Sequence, residues 1–179
     1  MRVFLTLLLT LFALPVLAND WDALREPGAV AIMRHALAPG GGDPAGFDVT
    51  DCATQRNLDD RGRDQARAIG AALRERGFTF DRVLTSQWCR CRDTATLLDV
   101  GPVRDAPALN SFFQDRSTGD AQTTATQGIL SSNDGTLMMV THQVNITALT
   151  GVFPSSGEII VIRATADGVE VLGEIEIAP

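Results

Sequence analysis

The sequence predicts a three-layer α/β/α fold, with helices on both faces of a mostly parallel central sheet. Short apolar runs alternate along the chain with amphipathic segments of helical length, a pattern typical of such sheets and their covering helices. Two of these runs end in a histidine, and the 179 residues contain no other histidine. No internal repeat or change of composition marks a boundary, so residues 19–179 are predicted to form a single domain.

The first 18 residues have the pattern of a secretory signal peptide. Arg2 is followed by an apolar stretch that ends in Val16-Leu17-Ala18, which matches the basic start, apolar middle and small-residue cleavage site of such peptides. The stretch is short for a membrane span. We therefore expect cleavage after Ala18 and a periplasmic or secreted protein without a membrane span, with an uncleaved anchor as the alternative.

After a lead-in, the first strand is predicted at residues 29–33, where no side chain is polar. Residues 39–44 contain three glycines and two prolines and are predicted to form a loop beside the site. Asp59 or Asp60 can cap a helix over residues 61–76, whose apolar side chains recur on one face and which Gly77 ends.

The rest of the chain continues the alternation of strands and helices. The predicted elements are a strand at 80–85, a helix at 86–98, a weaker helix at 121–131, a strand at 136–141, a helix at 142–150 closed by Gly151, and apolar runs at 159–162 and 169–177. This order favours strands that run parallel to one another, with helices as their connections.

Three cysteines would enter an oxidising compartment after export, where a disulfide is favoured. The sequence does not fix the pairing of Cys52, Cys89 and Cys91. We favour Cys52 with Cys89, because this bond would attach the loop after His35 to the segment around Arg90. The cysteines and histidines lack zinc-finger spacing, so no structural metal and no cofactor are predicted.

Polar side chains follow three of the predicted strands. Arg34 and His35 follow the first strand, Ser86 to Arg90 the second, and His142 the third. Because ligands of open α/β sheets bind at the carboxyl ends of the strands, we expect one pocket lined by two arginines and two histidines. The chain has a net charge of −7, so this pocket is a local cationic exception, and nucleic acid and anionic membranes are poor candidates for partners. Phosphate matches arginine side chains, and its phosphorus can be attacked by an imidazole nitrogen.

Four motifs resemble, in order, those of the histidine phosphatase superfamily, which has the phosphoglycerate-mutase-like fold, and in particular its small exported members. The motifs are Met33-Arg34-His35-Ala36; Gln55-Arg56-Asn57-Leu58 with Gly62 and Gln65-Ala66; Ser86-Gln87-Trp88-Cys89-Arg90 with Thr94-Ala95; and Val140-Thr141-His142. Together they span nearly all of the chain after residue 18.

The resemblance implies a role for each of the predicted site residues. His35 would be the nucleophile and would carry a transient phosphoryl group, while Arg34 and Arg90 hold the phosphoryl oxygens. His142 would donate a hydrogen bond to an equatorial oxygen, and no metal would be needed. Arg56 either binds phosphate or substrate or has a structural role, and the sequence does not favour one over the other.

The general acid is where the chain departs from its relatives. Many of them carry a glutamate after the second arginine motif, but residues 108–113 contain no carboxylate. The remaining carboxylates that could serve are Asp105, Asp115, Asp120 and Glu158, of which Asp115 and Glu158 are the preferred candidates. Each is more often a solvated side chain than an acid, so substrates with good leaving groups are favoured.

The sequence therefore predicts an exported, metal-independent phosphatase that hydrolyses a phosphomonoester or related phosphoryl compound through a phosphohistidine on His35. Its partner would be a phosphorylated small molecule or an envelope glycan. The alternative is a catalytically impaired protein of the same fold that binds a phosphorylated ligand. A second alternative is a metal-binding module built on His35 and His142, which would retain zinc or copper tightly.

Overall fold

The structure, a computed structural model, describes residues 19–178. The predicted signal peptide lies outside these residues. The strands are β1 (Ala29–Arg34), β2 (Arg82–Thr85), β3 (Val103–Asp105), β4 (Leu137–Thr141), β5 (Ile159–Thr165) and β6 (Gly168–Ile175). The helices are α1 (Asp60–Glu75), α2 (Cys89–Leu98), α3 (Gly119–Ser131) and α4 (Gln143–Thr150), with short 3-10 helices at Trp21–Arg25, Cys52–Thr54, Pro107–Leu109 and Arg116–Thr118.

The described strands form one mixed sheet in the order β3-β2-β4-β1-β5-β6. The first four strands of this order are parallel to one another, and β5 and β6 are antiparallel to their neighbours. The predicted α/β fold with a mostly parallel sheet is confirmed. The antiparallel edge also explains why two apolar runs follow α4 without a helix between them, because a hairpin needs no crossover connection.

The central strands β1 and β4 are buried on both faces of the sheet. Successive side chains of β1 belong to different apolar clusters: Met33 packs with Ile69 of α1, whereas Ile32 packs with Leu130 of α3 and Ile146 of α4. Side chains alternate between the faces of a strand, so a strand covered on both sides is apolar at every position. This is why β1 and β4 are recognisable in the sequence as unbroken apolar runs.

Helix α1 supports the segment that follows His35. Its cap is Asp59, whose Oδ1 accepts a hydrogen bond from the Gly62 backbone nitrogen at 2.8 Å. A Cβ atom on Gly62 would lie 1.9 Å from the Leu37 carbonyl oxygen, so only glycine allows this close approach. Gln65 Oε1 also accepts from the Leu37 nitrogen at 2.9 Å. Together these contacts hold the chain just after His35 against the helix.

Most elements differ from their predicted bounds by one to three residues, and one strand was not predicted. The predicted helix at 86–98 begins only at Cys89, because the Ser86 nitrogen still bonds to the Val140 carbonyl and continues the path of β2. Strand β3 was not predicted. Its three residues are all exposed at the sheet edge, so they carry no alternation of apolar and polar side chains.

Candidate active site

The carboxyl ends of β1, β2 and β4 bring the two histidines together. In the register of these parallel strands, Met33 and Thr85 both pair with Val140, so the residues that follow each strand meet at one edge. The ring centroids of His35 and His142 lie 5.5 Å apart. Arg90 reaches the same place from the first turn of α2.

These side chains line a cavity of about 160 Å³. Arg34, His35, Arg90 and His142, the four residues predicted to carry the chemistry, all contribute to its wall, and so does Arg56. The remaining lining residues are Gly40, Gly41, Gly42, Asp43, Trp88, Ser111, Phe113, Gln114, Gln143 and Val144. The predicted pocket at the strand ends is thus present, with the glycine-rich loop as part of its border.

His35 is held in one tautomer. Its Nδ1 lies 2.8 Å from the Ala36 carbonyl oxygen, which can only accept, so Nδ1 carries the proton. Its Nε2 accepts a hydrogen bond from Arg90 Nε at 3.2 Å. The pKa of His35 is held well below 6.5, first of all by burial and secondly by the positive charge of Arg90. The imidazole is therefore neutral, with its lone pair on Nε2, the form that a nitrogen nucleophile requires.

His142 is also buried and neutral. Burial, and then the charge of Arg90, lower its pKa well below 6.5. Its Nδ1 accepts from Arg90 Nη2 at 3.4 Å, and its Nε2 lies 2.8 Å from Ser86 Oγ. Ser86 in turn donates to Asn110 Oδ1 at 3.3 Å. Asn110 belongs to the segment in which many relatives carry the glutamate, and its amide is bound to Ser86 instead of lining the cavity.

Arg34 and Arg56, the other two arginines of the cavity wall, are held by different contacts. Arg34 donates to the Pro154 carbonyl through Nη1 at 2.9 Å, while its buried Nε has no hydrogen-bond partner among the described residues. A buried guanidinium nitrogen without an acceptor is costly. Arg56 donates to the carbonyl oxygens of Gly42 and Ala38. Arg56 therefore braces the loop while it also lines the cavity, which is consistent with both roles considered for it.

The charge of Arg90 is matched by a carboxylate that the sequence analysis missed. Arg90 Nη1 lies 2.6 Å from Asp43 Oδ1, and Nη2 lies 3.0 Å from Oδ2, with both side chains almost fully buried. Burial alone would raise the pKa of Asp43, but the hydrogen bonds and charge of Arg90 outweigh it, and the pKa is lowered. The available signal was a lone aspartate within the glycine- and proline-rich loop beside the site.

The structure does not bring the two preferred acid candidates into the cavity. Asp115 is exposed and accepts from the backbone nitrogen and hydroxyl of Ser117. Glu158 is buried, accepts from the Ser155 nitrogen at 2.6 Å and lines a different groove. Burial raises its pKa, but Glu158 is not among the residues that line the cavity with the histidines. Among the described residues that line the cavity, Asp43 supplies the one carboxylate.

A disulfide joins Cys52 to Cys89, the pairing that the sequence analysis favoured. It fastens the loop that carries Asp43 and Arg56 to the residue immediately before Arg90. Cys91 is a free, buried thiol, and burial raises its pKa to about 12. It remains protonated and is not a nucleophile at ordinary pH.

Two further features concern membranes and metals. No helix within residues 19–178 is long and apolar enough to cross a membrane. Over the same residues, no group of three or more histidine, cysteine, aspartate or glutamate side chains is arranged to hold a metal ion.

A sequence model described as Histidine phosphatase superfamily (branch 1) matches residues 31–131, more than half of the chain. The chain belongs to this superfamily. The matched segment of this superfamily member contains Arg34, His35, Arg56 and Arg90. His142 lies beyond its end, and it is the fold that brings this residue to the others.

Individual known proteins also resemble this chain, in sequence or in structure. The chain is 37% identical over 97 residues to the mitochondrial serine/threonine-protein phosphatase Pgam5 of Drosophila grimshawi, covering 51% of this chain and 33% of that protein. The chain thus spans about a third of the length of this curated relative. Among solved structures, the protein histidine phosphatase SixA complexed with tungstate has a TM-score of 0.58 at 16% identity, covering 83% of this chain and 96% of that one. The α-ribazole phosphatase from Shigella flexneri has a TM-score of 0.59 at 18% identity, with 84% and 97% covered. These likenesses establish the shared fold.

The two buried histidines predict a pH-dependent stability. Because both pKa values are lowered in the folded protein, the unfolded chain binds more protons once the pH falls below 6.5, and folding stability decreases as pH falls. Each histidine can contribute up to about 1.4 kcal/mol per pH unit below that value. Urea unfolding in phosphate-free buffer at about pH 7.5 and about pH 5 measures the change.

The absence of other histidines makes this test specific. Replacing both His35 and His142 with asparagine should flatten the dependence between these pH values. An equal dependence in the doubly substituted protein would show that the histidines are not its source.

Proposed function

We propose that this superfamily member is an exported, metal-independent phosphatase that hydrolyses a phosphomonoester or related phosphoryl compound through a phosphohistidine on His35. The observation that carries the proposal is the state of His35: a neutral imidazole, fixed by the Ala36 carbonyl, with the lone pair of Nε2 bound only to Arg90 Nε in a cavity lined by three arginines. A buried cationic cavity in a chain of net charge −7 favours an anionic ligand of phosphate type.

The first chemical step is attack of His35 Nε2 on phosphorus. The N–P bond forms as the bond to the leaving group breaks, and the leaving group departs with the bonding electron pair. In the free protein Arg90 Nε donates to His35 Nε2, so this N–H must bond to a phosphoryl oxygen instead before His35 can attack. Arg34, which also lines the cavity, supplies further positive charge there. The Ala36 carbonyl keeps the Nδ1 proton in place while the ring gains positive charge. A water then attacks phosphorus, and the N–P bond breaks to release phosphate.

His142 can donate to the phosphoryl group after a proton shift. In the free protein its Nδ1 accepts from Arg90, so its proton is on Nε2, facing Ser86. When a phosphoryl oxygen replaces Arg90 at Nδ1, the other tautomer is needed: one proton leaves Nε2 for water, one proton from water or from a protonated phosphoryl oxygen binds Nδ1, and the Ser86 hydroxyl turns to donate to Nε2. The Ser86 hydroxyl is thus suited to serve either tautomer.

The leaving group determines how fast such a site turns over. Asp43 is ion-paired with Arg90 and is a poor proton donor at neutral pH because its pKa is lowered. We therefore propose substrates whose leaving group needs little protonation, such as phosphoramidates, acyl phosphates and aryl phosphates. The phosphorylated partner would be a small molecule or an envelope glycan, and the Cys52–Cys89 disulfide supports a periplasmic or secreted location.

A phospho-ligand-binding protein is the second candidate function. It is favoured by one observation, namely that the described cavity residues include no carboxylate free to act as an acid. Binding requires the arginines but not a phosphorylated His35.

The deciding measurement is phosphate release by the purified protein in the presence of EDTA, with an aryl phosphate and a phosphoramidate as substrates. We expect turnover of both compounds and a phosphoryl group on His35 that is stable to base and labile to acid. No release from either compound, combined with tight phosphate binding, would contradict the phosphatase and favour the binding protein. Activity that appears only after zinc or another divalent metal is added would contradict metal independence.

A further inference from the structure

Every part of the Arg90 guanidinium is engaged in the free protein. Its Nε and Nη2 atoms face the two histidines, at 3.2 Å from His35 Nε2 and 3.4 Å from His142 Nδ1. Its Nη1 atom also donates to the Arg56 carbonyl at 3.2 Å. Asp43 binds the opposite end of the group through both oxygens. The guanidinium therefore presents one edge to the space between the histidines and its far end to Asp43.

Asp43 is itself fixed from several sides. Its Oδ2 accepts from Trp88 Nε1 at 3.0 Å, and its Oδ1 accepts from the Arg56 backbone nitrogen at 3.2 Å. Its own carbonyl accepts from Gln114 Nε2. The preceding Gly42 has a φ of +67° and bonds to Arg56. The carboxylate is therefore a rigid part of the cavity wall, although it lies in a loop.

We propose that Asp43 is a positioning residue for phosphoryl transfer, which binds the outer end of Arg90 so that the Nε and Nη2 edge faces the phosphoryl group between His35 and His142. This inference rests on the proposed function, and it assigns the alignment of Arg90 with the phosphoryl group to Asp43. Guanidinium groups recognise phosphate by two parallel N–H bonds, and the edge formed by Nε and Nη2 can exchange its bonds to the histidines for phosphoryl oxygens while Asp43 holds the other end. The long arginine side chain has several rotatable bonds, and the ion pair selects one of its conformations.

A blocking role for Asp43 makes the opposite kinetic prediction. If the carboxylate merely occupied the phosphate position on Arg90, removing its charge would lower KM and leave kcat unchanged or higher. If it positions Arg90, removing its charge frees the guanidinium to move, and kcat falls. KM changes little in that case, because two effects oppose each other. The greater net positive charge of the cavity strengthens phosphate binding, and the lost alignment of Arg90 weakens it.

The test compares Asp43→Asn with Asp105→Asn. Asp105 pairs with Arg92 of the same helix, but at an exposed position outside the cavity, so its variant controls for the loss of an ion pair to α2. With an aryl phosphate, we expect Asp43→Asn to lower kcat about 100-fold, the size of effect that small misalignments of reacting groups produce. KM should change by less than about threefold, and rapid-quench measurement should show slower phosphorylation of His35. Asp105→Asn should match the wild type.

A second variant keeps the test valid if Asp43→Asn folds poorly. Trp88→Phe keeps a smaller aromatic ring at this position but removes the N–H that holds Asp43 Oδ2, and it should also lower kcat, by a smaller factor. Wild-type kcat in Asp43→Asn, or a lowered KM with kcat retained, would overturn the positioning role. An inactive wild type would instead overturn the proposed function, so the two failures are distinguishable.

Discussion

Replacing His35 with alanine is expected to lower turnover by at least about 10⁴-fold, since removal of a catalytic nucleophile commonly has an effect of this order or larger. The neutral imidazole is held with Nε2 toward the cavity by the Ala36 carbonyl, and within residues 19–178 the cysteine and serine side chains beside it are not free to attack phosphorus. Cys91 is a protonated buried thiol, and the Ser86 hydroxyl is bound to His142 and Asn110. Phosphate release from an aryl phosphate measures the loss, and a melting curve checks that the variant is folded.

The matched control for this prediction is His142→Ala. His142 lies at the same end of the cavity and is equally buried, but in the proposed mechanism it binds the phosphoryl oxygen and does not bond to phosphorus. We expect turnover to fall about 10²- to 10³-fold, while a phosphohistidine still forms on His35. A His35→Ala variant that retains wild-type turnover, or that carries the phosphoryl group elsewhere, would contradict the proposed intermediate.

Positions at the ends of central strands were predictable from the sequence. β1 and β4 are buried on both faces, so each is a continuous apolar run that ends at a defined residue, and His35 and His142 follow at once. Because β4 pairs in parallel with β1 and β2, the two histidines lie at the same edge of the sheet, and the strand pattern alone predicts this. The positions of Arg34 and Arg90 were predictable for the same reason. Arg34 lies at the end of β1, and Arg90 follows β2 after the short connection to α2.

Asp43 could not be placed in the same way. Its position depends on Trp88, on the backbone of Arg56 and on the guanidinium of Arg90, which lie between 13 and 47 residues away along the chain. No periodic pattern encodes such loop contacts. Strand β3 escaped prediction for a related reason, because three exposed residues at an edge are defined by their pairing with β2 and not by a pattern of their own.

Replacing Arg90 with alanine is expected to lower turnover by about 10³-fold or more, as loss of an arginine that stabilises a transferring phosphoryl group does in other enzymes. It should also weaken binding of phosphate and vanadate, measured by calorimetry. Arg90 contacts both histidines, so it is the group best placed to bind oxygens on either side of the phosphorus. Arg90→Lys should restore little of the activity, because an ammonium group cannot form two parallel N–H bonds.

The same substitution should destabilise the fold for a separate reason. Arg90→Ala leaves the buried Asp43 carboxylate without its partner, and breaking a buried ion pair from one side costs about 3–5 kcal/mol. Adding Asp43→Asn to Arg90→Ala removes the stranded charge, so the double variant should unfold at a higher urea concentration than the single variant. Its turnover should remain as low, because the arginine is still absent. Recovery of stability without recovery of activity would separate the two roles of Arg90, as partner of Asp43 and as phosphoryl ligand, whereas wild-type phosphate affinity in Arg90→Ala would exclude the second.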